Sequence, residues 1–571
     1  MKKPSVRALT AALLLSGTAL AAQAEDKVCL YEHAEYQGAE WCYGVGDNSW
    51  IGSSRNDKVS SIKLYGNSYI EIFEHSNYGG KHSRVMANTY KMGNMNDGIS
   101  SFKVRNRNST DFACLFEHPG FRGTPHCLQA GEGESDLNNV LLGRNKASSL
   151  LVAGKANVEI FNYPGFNYSK ENRILTRSTS NLEERPAGWV EDNIDSFRVT
   201  SRAPTAQEAA IDITEAAGYR SPIRETNALA AHNAFNSTAY FGGQLIPGPN
   251  HRRALIEQLQ LGVRFFELDV SKGGSYTKVC HSVDCGTTFT TTLRRMLGEV
   301  DSWLKGADAN DVVFFYLQDD INGDSSGYQQ LQNDVAWLGD IVYTAGSCQT
   351  LPYDLTFEQI RQQGKRVFIY KDDGSTGCDI AKSVAVNFEQ NKGVSGLNVY
   401  ENHFNSSRYV RSQECINYFC NDNVSAADAL TGLQNGINAF GLDMIDEGDM
   451  DNSGDRLNNQ LWAVGPEGAG SAYSNGRIAR FHASGNRFMS VAADNSLNYA
   501  CRNNSGQWAI TQAMGNAANG TAACAAEYPG YSYTTPASAY EARLLRNAIT
   551  SGSDVHVNFA VSNGQWLPDR W

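Results

Sequence analysis

Gly262-Val263-Arg264-Phe265-Phe266-Glu267-Leu268-Asp269 is a short, nearly continuous apolar run that closes on two acids. A strand buried on both faces of a parallel sheet reads this way, because neither of its sides meets water. Val312-Val313-Phe314-Phe315-Tyr316-Leu317, Val367-Phe368-Ile369-Tyr370 and Ile437-Asn438-Ala439-Phe440-Gly441-Leu442 repeat the pattern. Between the first two runs, Leu293, Met296, Leu297, Val300 and Leu304 recur at the helical period. Alternating strands and helices over residues 205–465 predict an α/β barrel of the triosephosphate-isomerase (TIM) type, whose chemistry gathers at the C-terminal ends of its strands.

Polar residues cluster at those ends: His232-Asn233, Glu267 with Asp269, His281, and Gln318-Asp319-Asp320. Each has a plain structural reading alone, His232 as a satisfied core histidine and the acids as ion-pair partners. Together they supply what metal-assisted phosphodiester cleavage needs. One imidazole stabilises a charged phosphorane, another moves a proton, and carboxylate and amide oxygens hold a hard cation.

The flanking segments are different in kind. Residues 1–24 read as an export signal, with Lys2, Lys3 and Arg7, an apolar stretch and Ala22-Gln23-Ala24, which predicts a secreted or periplasmic chain. No later stretch approaches the roughly 20 apolar residues of a transmembrane helix. The formal charge of -12 becomes -15 without those three cations, which argues against nucleic acid as a partner. The twelve cysteines fall as neighbouring couples, 29 with 42, 114 with 127, 280 with 285, 348 with 378, 415 with 420 and 501 with 524. In an exported chain they predict disulfides: Cys29, Cys42, Cys114, Cys127, Cys280, Cys285, Cys348, Cys378, Cys415, Cys420, Cys501 and Cys524.

An aromatic, four residues, an aromatic, one residue and a glycine recur at Tyr31/Tyr36/Gly38, Phe73/Tyr78/Gly80 and Phe116/Phe121/Gly123. A fourth copy, Phe161/Phe166, has Tyr168 in the glycine's place. Each is followed by a polar turn: Asn56-Asp57-Lys58-Val59-Ser60-Ser61, Asn96-Asp97-Gly98-Ile99-Ser100-Ser101, Arg144-Asn145-Lys146-Ala147-Ser148-Ser149 and Glu191-Asp192-Asn193-Ile194-Asp195-Ser196. The combination resembles the βγ-crystallin Greek-key motif, two of which make one β-sandwich, here residues 25–107 and 111–200. The resemblance implies calcium (Ca2+) at the turns of the first domain, through Asp57, Ser60, Asp97 and Ser100. In the second, Arg144 and Asp195 depart from the calcium pattern.

The constellation of residues 232–318 resembles the catalytic X-region of phosphatidylinositol-specific phospholipase C. That resemblance makes His232 the stabiliser of a pentacovalent phosphorus and His281 the proton donor to the leaving group. It makes Asn233, Glu267, Asp269 and Gln318 calcium ligands, with Glu267 also a base. Gln318 stands where the family has a glutamate. An acid at Asp269, where the metal-independent branch carries arginine, favours calcium, since a bare carboxylate repels phosphate. Lys371 and Asp443 are the implied contacts to substrate. The implied reaction is cleavage of a membrane phospholipid to diacylglycerol and a cyclic inositol phosphate. A glycerophosphodiester or lysophospholipid phosphodiesterase, or a non-catalytic calcium-binding adhesin, are the alternatives. Residues 468–571 read as a small β-rich accessory module.

Overall fold

Every copy of the aromatic repeat folds back at its second aromatic. In the computed structural model, Tyr36, Tyr78, Phe121 and Phe166 all have left-handed backbone, with φ of 58°, 61°, 58° and 53°. That conformation strains a residue bearing a Cβ, so other contacts must hold it. One is an edge-to-face ring contact with the first aromatic of the same copy, at centroid distances of 5.8, 5.5, 6.0 and 5.7 Å in chain order. The other is the last serine of the following turn. Ser61, Ser101, Ser149 and Ser196 each accept the corner amide and donate their hydroxyl to a carbonyl just before it.

The structure describes residues 25–571 except 184–191, 242–248, 281–284, 286–289, 307–310, 344–351, 353, 372–380, 383–398, 404–407, 413, 417–418, 422–425, 446–455, 466–475, 483, 486 and 551, and gives the strands between 381 and 421 as backbone only. The expected export signal and the 348–378 cysteine couple therefore lie outside the described residues. Among those described, no helix is long and apolar enough to cross a membrane.

Each pair of repeats makes a two-sheet sandwich. In the first, Lys27–His33 lies between Gln37–Gly44 and Ser61–Tyr65, and a second sheet runs Gly46–Asn48, Ser101–Asn106, Ser68–His75, Gly79–Val85. Gly46–Asn48, from the first repeat, crosses over to pair with the last strand of the second. The second sandwich repeats the exchange, with Gly133–Glu134 pairing to Ser196–Ser201. Neither repeat can close its core alone, which explains why the motifs come in pairs. Disulfides Cys29–Cys42 and Cys114–Cys127 tie equivalent strand pairs.

Ala228–Ala231 (β1) joins the four apolar runs, which form β2 (Val263–Lys272), β3 (Val313–Asp319), β4 (Val367–Lys371) and β5 (Ala439–Leu442), as parallel strands in spatial order β4-β3-β2-β1-β5. The first strand takes the late β5 as its neighbour, as in a barrel. Arg408–Ser412 continues parallel beyond β5, but Val399–His403 is antiparallel to it. The expected closed TIM barrel is thus met only as a mixed α/β sheet whose described path stays open.

Around it pack α1 (Ala206–Gly218), α2 (Leu255–Gln260), α3 (Leu293–Leu304) and α4 (Ser325–Ala336). Thr205 and Glu208 cap α1 reciprocally, and Thr292 caps α3. The C-terminal module is a seven-stranded sheet with helices Gly520–Glu527 and Ala539–Ala548, the first pinned to the sheet by Cys501–Cys524. Its core is continuous with that of the α/β region.

Both crystallin-like domains pack on the α/β helices. Arg294 Nη1 donates to the Tyr36 carbonyl at 2.7 Å, and the Tyr36 ring lies 4.6 Å from that of Trp337. Asn88 bonds Ser302 and Asp301 of α3 at 2.9 and 2.7 Å. From the second domain, Ser180 N donates to Glu257 at 3.1 Å and Gly120 O accepts from Arg295 at 3.2 Å. Helix α3 is consequently buried all round except at Arg294.

Lys63 sits wholly buried in the first of these interfaces. Its ammonium donates to the Trp337 carbonyl and lies 3.8 Å from the Trp337 ring and 4.1 Å from the Tyr65 ring. Burial pushes it down from 10.5 to about 7. The unfolded chain therefore binds the extra proton between these values, so the contribution of Lys63 to stability should rise with pH from about 7 towards 10.5 and stay level below about 7, where both states hold the proton. Calorimetric midpoints over this window should climb more steeply for the natural chain than for Lys63→Met.

Candidate active site

Adjacent β1 and β5 bring His232 against Asp443, residues 211 positions apart in the chain. His232 Nδ1 lies 2.9 Å from Asp443 Oδ1, and both side chains are buried. Asp443 thereby sets the tautomer, since a carboxylate accepts the Nδ1 proton and leaves Nε2 with its lone pair. Nε2 faces Asn233 Nδ2 at 3.2 Å and Glu267 Oε2 at 4.0 Å. Asn250 Nδ2 donates to the same Asp443 oxygen at 2.8 Å, and His251 Nε2 donates to the His232 carbonyl at 2.7 Å. Burial pushes the His251 imidazole down to about 4, so it remains neutral.

Strand alternation separates two kinds of residue. Glu267 and Asp269 share the inner face of β2 with Phe265, and Gln318 stands opposite Asp269 in register on β3. Asn233, just past β1 with a φ of 44°, has a buried Oδ1 without a hydrogen-bond partner. Carboxamide oxygens at Asn233 and Gln318 with carboxylates at Glu267 and Asp269 form an all-oxygen set that fits a hard divalent cation. Among the described residues, the one group of three His, Cys or acidic side chains at metal spacing is Cys29, Glu40 and Cys42, whose thiols are joined in a disulfide.

Both residues expected to contact substrate have partners within the protein. Asp443 holds His232. Lys371 shares the helix-facing side of its strand with Ile369 and pairs with Asp319 at 2.8 Å, both side chains buried, while Tyr328 of α4 donates to the same carboxylate oxygen. His281 lies outside the described residues. Its neighbour Cys280 donates its amide to the Asp269 carbonyl at 3.1 Å and forms the expected disulfide with Cys285. Cys415 and Cys420 face each other in backbone register. Asn250 and His251, which sequence reasoning missed, follow no apolar run and carry no spacing signal.

At the crystallin-type turns, Asp57 and Asp97 have left-handed backbone, with φ of 55° and 56°. Ser60 Oγ reaches Asp97 Oδ1 at 3.4 Å, so the turns of both repeats meet. Asn56 Oδ1 is buried without a partner there, an oxygen available to a cation. Ser100 is buried in the matching position. In the second domain Arg144 instead binds Asp136, with Nε 2.6 Å from Oδ1.

A family model for the PI-PLC X domain matches residues 225–392, and one for peptidase inhibitor family I36 matches residues 22–85. An uncharacterized protein of Mycobacterium tuberculosis, curated from two strains, is 25% identical over 370 residues, 55% of this chain and 72% of its own length. Solved structures similar to the N-terminal part include protein S complexed with calcium, 19% identical over 31% of this chain and 99% of that one, with a TM-score of 0.22. A Ca2+-bound βγ-crystallin domain from Neurospora crassa is 23% identical over 14% of this chain and 91% of that one, with a TM-score of 0.14. The chain thus has a PI-PLC-like α/β region preceded by two crystallin-like domains.

Breaking a buried ion pair from one side leaves an uncompensated charge, which costs about 3–5 kcal/mol. Lys371→Met should therefore lower the denaturation midpoint sharply, and Lys371→Met with Asp319→Leu should recover most of the loss. A substrate-binding lysine would show no such rescue.

Proposed function

We propose that this PI-PLC-like region, behind its two crystallin-like domains, is an exported phosphodiesterase that cleaves phosphatidylinositol to diacylglycerol and a cyclic inositol phosphate. The observation that carries this reading is the buried Asp443–His232 pair, which leaves Nε2 directed towards the inner face that bears Glu267. An imidazole held in this tautomer is suited to take the proton of an attacking hydroxyl, because its rear carboxylate stabilises the resulting imidazolium.

A hydroxyl of the inositol ring attacks phosphorus, its proton passing to His232 Nε2. The bond from phosphorus to the diacylglycerol oxygen breaks, and His281 protonates that oxygen. In this reading His232 is the base in place of Glu267, whose carboxylate lies 4.0 Å from the ring nitrogen. Asn233, Glu267, Asp269 and Gln318 would hold calcium, which would supply electrostatic stabilisation to the phosphate oxygens. A second calcium would sit at the first crystallin-like domain through Asp57, Ser60, Asp97 and Ser100.

The test is hydrolysis of phosphatidylinositol by the mature chain with calcium and with chelator. Asp443→Asn should lower turnover by about 10²- to 10⁴-fold with an unchanged melting point. His232→Ala and His281→Ala should each lose about 10²-fold or more. Chelator should abolish the remaining rate and lower the melting point by mass action. Inactivity on phosphatidylinositol and on other phosphodiesters would overturn the enzyme reading in favour of a calcium-binding adhesin.

A further inference from the structure

The two crystallin-like domains point their folded corners the same way. Helices α2 and α3 follow β1 and β2, so their first turns lie at the C-terminal ends of those strands, beside His232 and Asp269. Those first turns bind corner segments: Arg294 takes the Tyr36 carbonyl, Arg295 the Gly120 carbonyl, and Glu257 the Ser180 amide. The opposite end of the second sandwich, at Gly154, lies against Gly306 just beyond the C-terminus of α3. The corners and polar turns of both sandwiches therefore share one end of the molecule with the candidate active site.

Three large rings are exposed at this end. Trp50 is 48% exposed, in a loop tied to the second corner of the first domain by Ile51 N to Ser100 O and Asn77 N to Ser49 O. Tyr163 and Tyr168 are 45% and 55% exposed, in the last corner of the second domain, where Ser196 binds the Tyr163 carbonyl and Tyr168 lies 5.1 Å from Phe161. Exposed lysines accompany them. Lys58 and Lys146 stand in the polar turns, and Lys170 lies 5.3 Å from the Tyr163 ring. Among the described residues none of these three pairs with a carboxylate within 4.0 Å, while Asp57, Asp97 and Asp136 are engaged by Asn56, Asn96 and Arg144. These three lysines thus have no paired carboxylate among the described residues, and exposed Asp57, Asp97 and Asp192 share the polar turns with them.

We infer that this end docks on an anionic phospholipid surface, with Trp50, Tyr163 and Tyr168 entering the headgroup layer and Lys58, Lys146 and Lys170 meeting its phosphates. Amphipathic rings favour that layer because one edge is apolar and the other wet. Lysines near an anionic leaflet add attraction that salt screens. The inference extends the phospholipid reading above. It gives the crystallin-like domains a task, which is to seat the active site on its substrate surface.

The test is co-sedimentation of the full chain with vesicles of phosphatidylcholine alone and of phosphatidylcholine with phosphatidylserine. The natural chain should partition onto the anionic vesicles. Trp50→Ala/Tyr163→Ala/Tyr168→Ala should lose at least about tenfold in partitioning, with an unchanged melting point. Lys58→Gln/Lys146→Gln/Lys170→Gln should lose the preference for anionic lipid. The ring variant should keep its rate on phosphatidylinositol dispersed in detergent and lose it on bilayers. Equal partitioning of ring variant and natural chain, or no vesicle binding by the natural chain, would overturn the inference. Ring-dependent vesicle binding by a chain that hydrolyses nothing would sustain the docking face and remove the enzymatic reading.

Discussion

The pairing of β1 with β5 is the constraint on which the candidate site depends. Ala228–Ala231 meets Ala439–Leu442 in parallel register, and the residues just past these strands are His232 and Asp443. Without that pairing His232 is a buried imidazole without an orienting acid. With it, the ring has one tautomer and one direction. Asn250 reinforces the arrangement by bonding both the Asp443 side chain and, through its carbonyl, the Met444 amide. The bonds among His232, Asp443 and Asn250 lower the cost of burying these polar groups.

The crystallin-like domains are structurally part of the same body. Helix α3 would ordinarily show one face to solvent, yet polar residues on its far side, Arg295, Asp301 and Ser302, are buried against the two sandwiches. The corner at Tyr36 carries this packing, because the serine that fixes its backbone belongs to the turn expected to hold calcium. Order at that turn and order at α3 are thus mechanically adjacent, and α3 follows the segment that bears His281.

Much of this was legible in the sequence. The aromatic spacing and the turn serines announced the paired Greek keys, since ring contact and corner hydrogen bonding are local and recur four times. The apolar runs marked β3, β4 and β5 and the start of β2 within two residues, because burial on both faces leaves a composition that few other settings tolerate, whereas no run was read at β1. The candidate residues at the ends of β1 and β2 stand out for the same reason, as polar groups that follow or close apolar strands. Lys371 was expected from the family resemblance to meet substrate; its neighbour Tyr370 faces inward, so Lys371 faces the helices and finds Asp319. Asn250 and His251 lie on a connection, where no periodicity distinguishes a buried polar residue from an exposed one.

By itself the sequence determined the elements, their pairing within each Greek key, the local disulfides and the chemical types gathered at the strand ends. These follow from short-range physics: side-chain alternation, turn chemistry and cysteine proximity. Tertiary structure alone decided that Asp443 serves His232, that Lys371 serves Asp319, and that both sandwiches turn their corners to the end that bears the candidate site. Each of these depends on which distant strand or helix lies alongside, a choice made by the summed burial of many side chains and written in no single stretch of the chain.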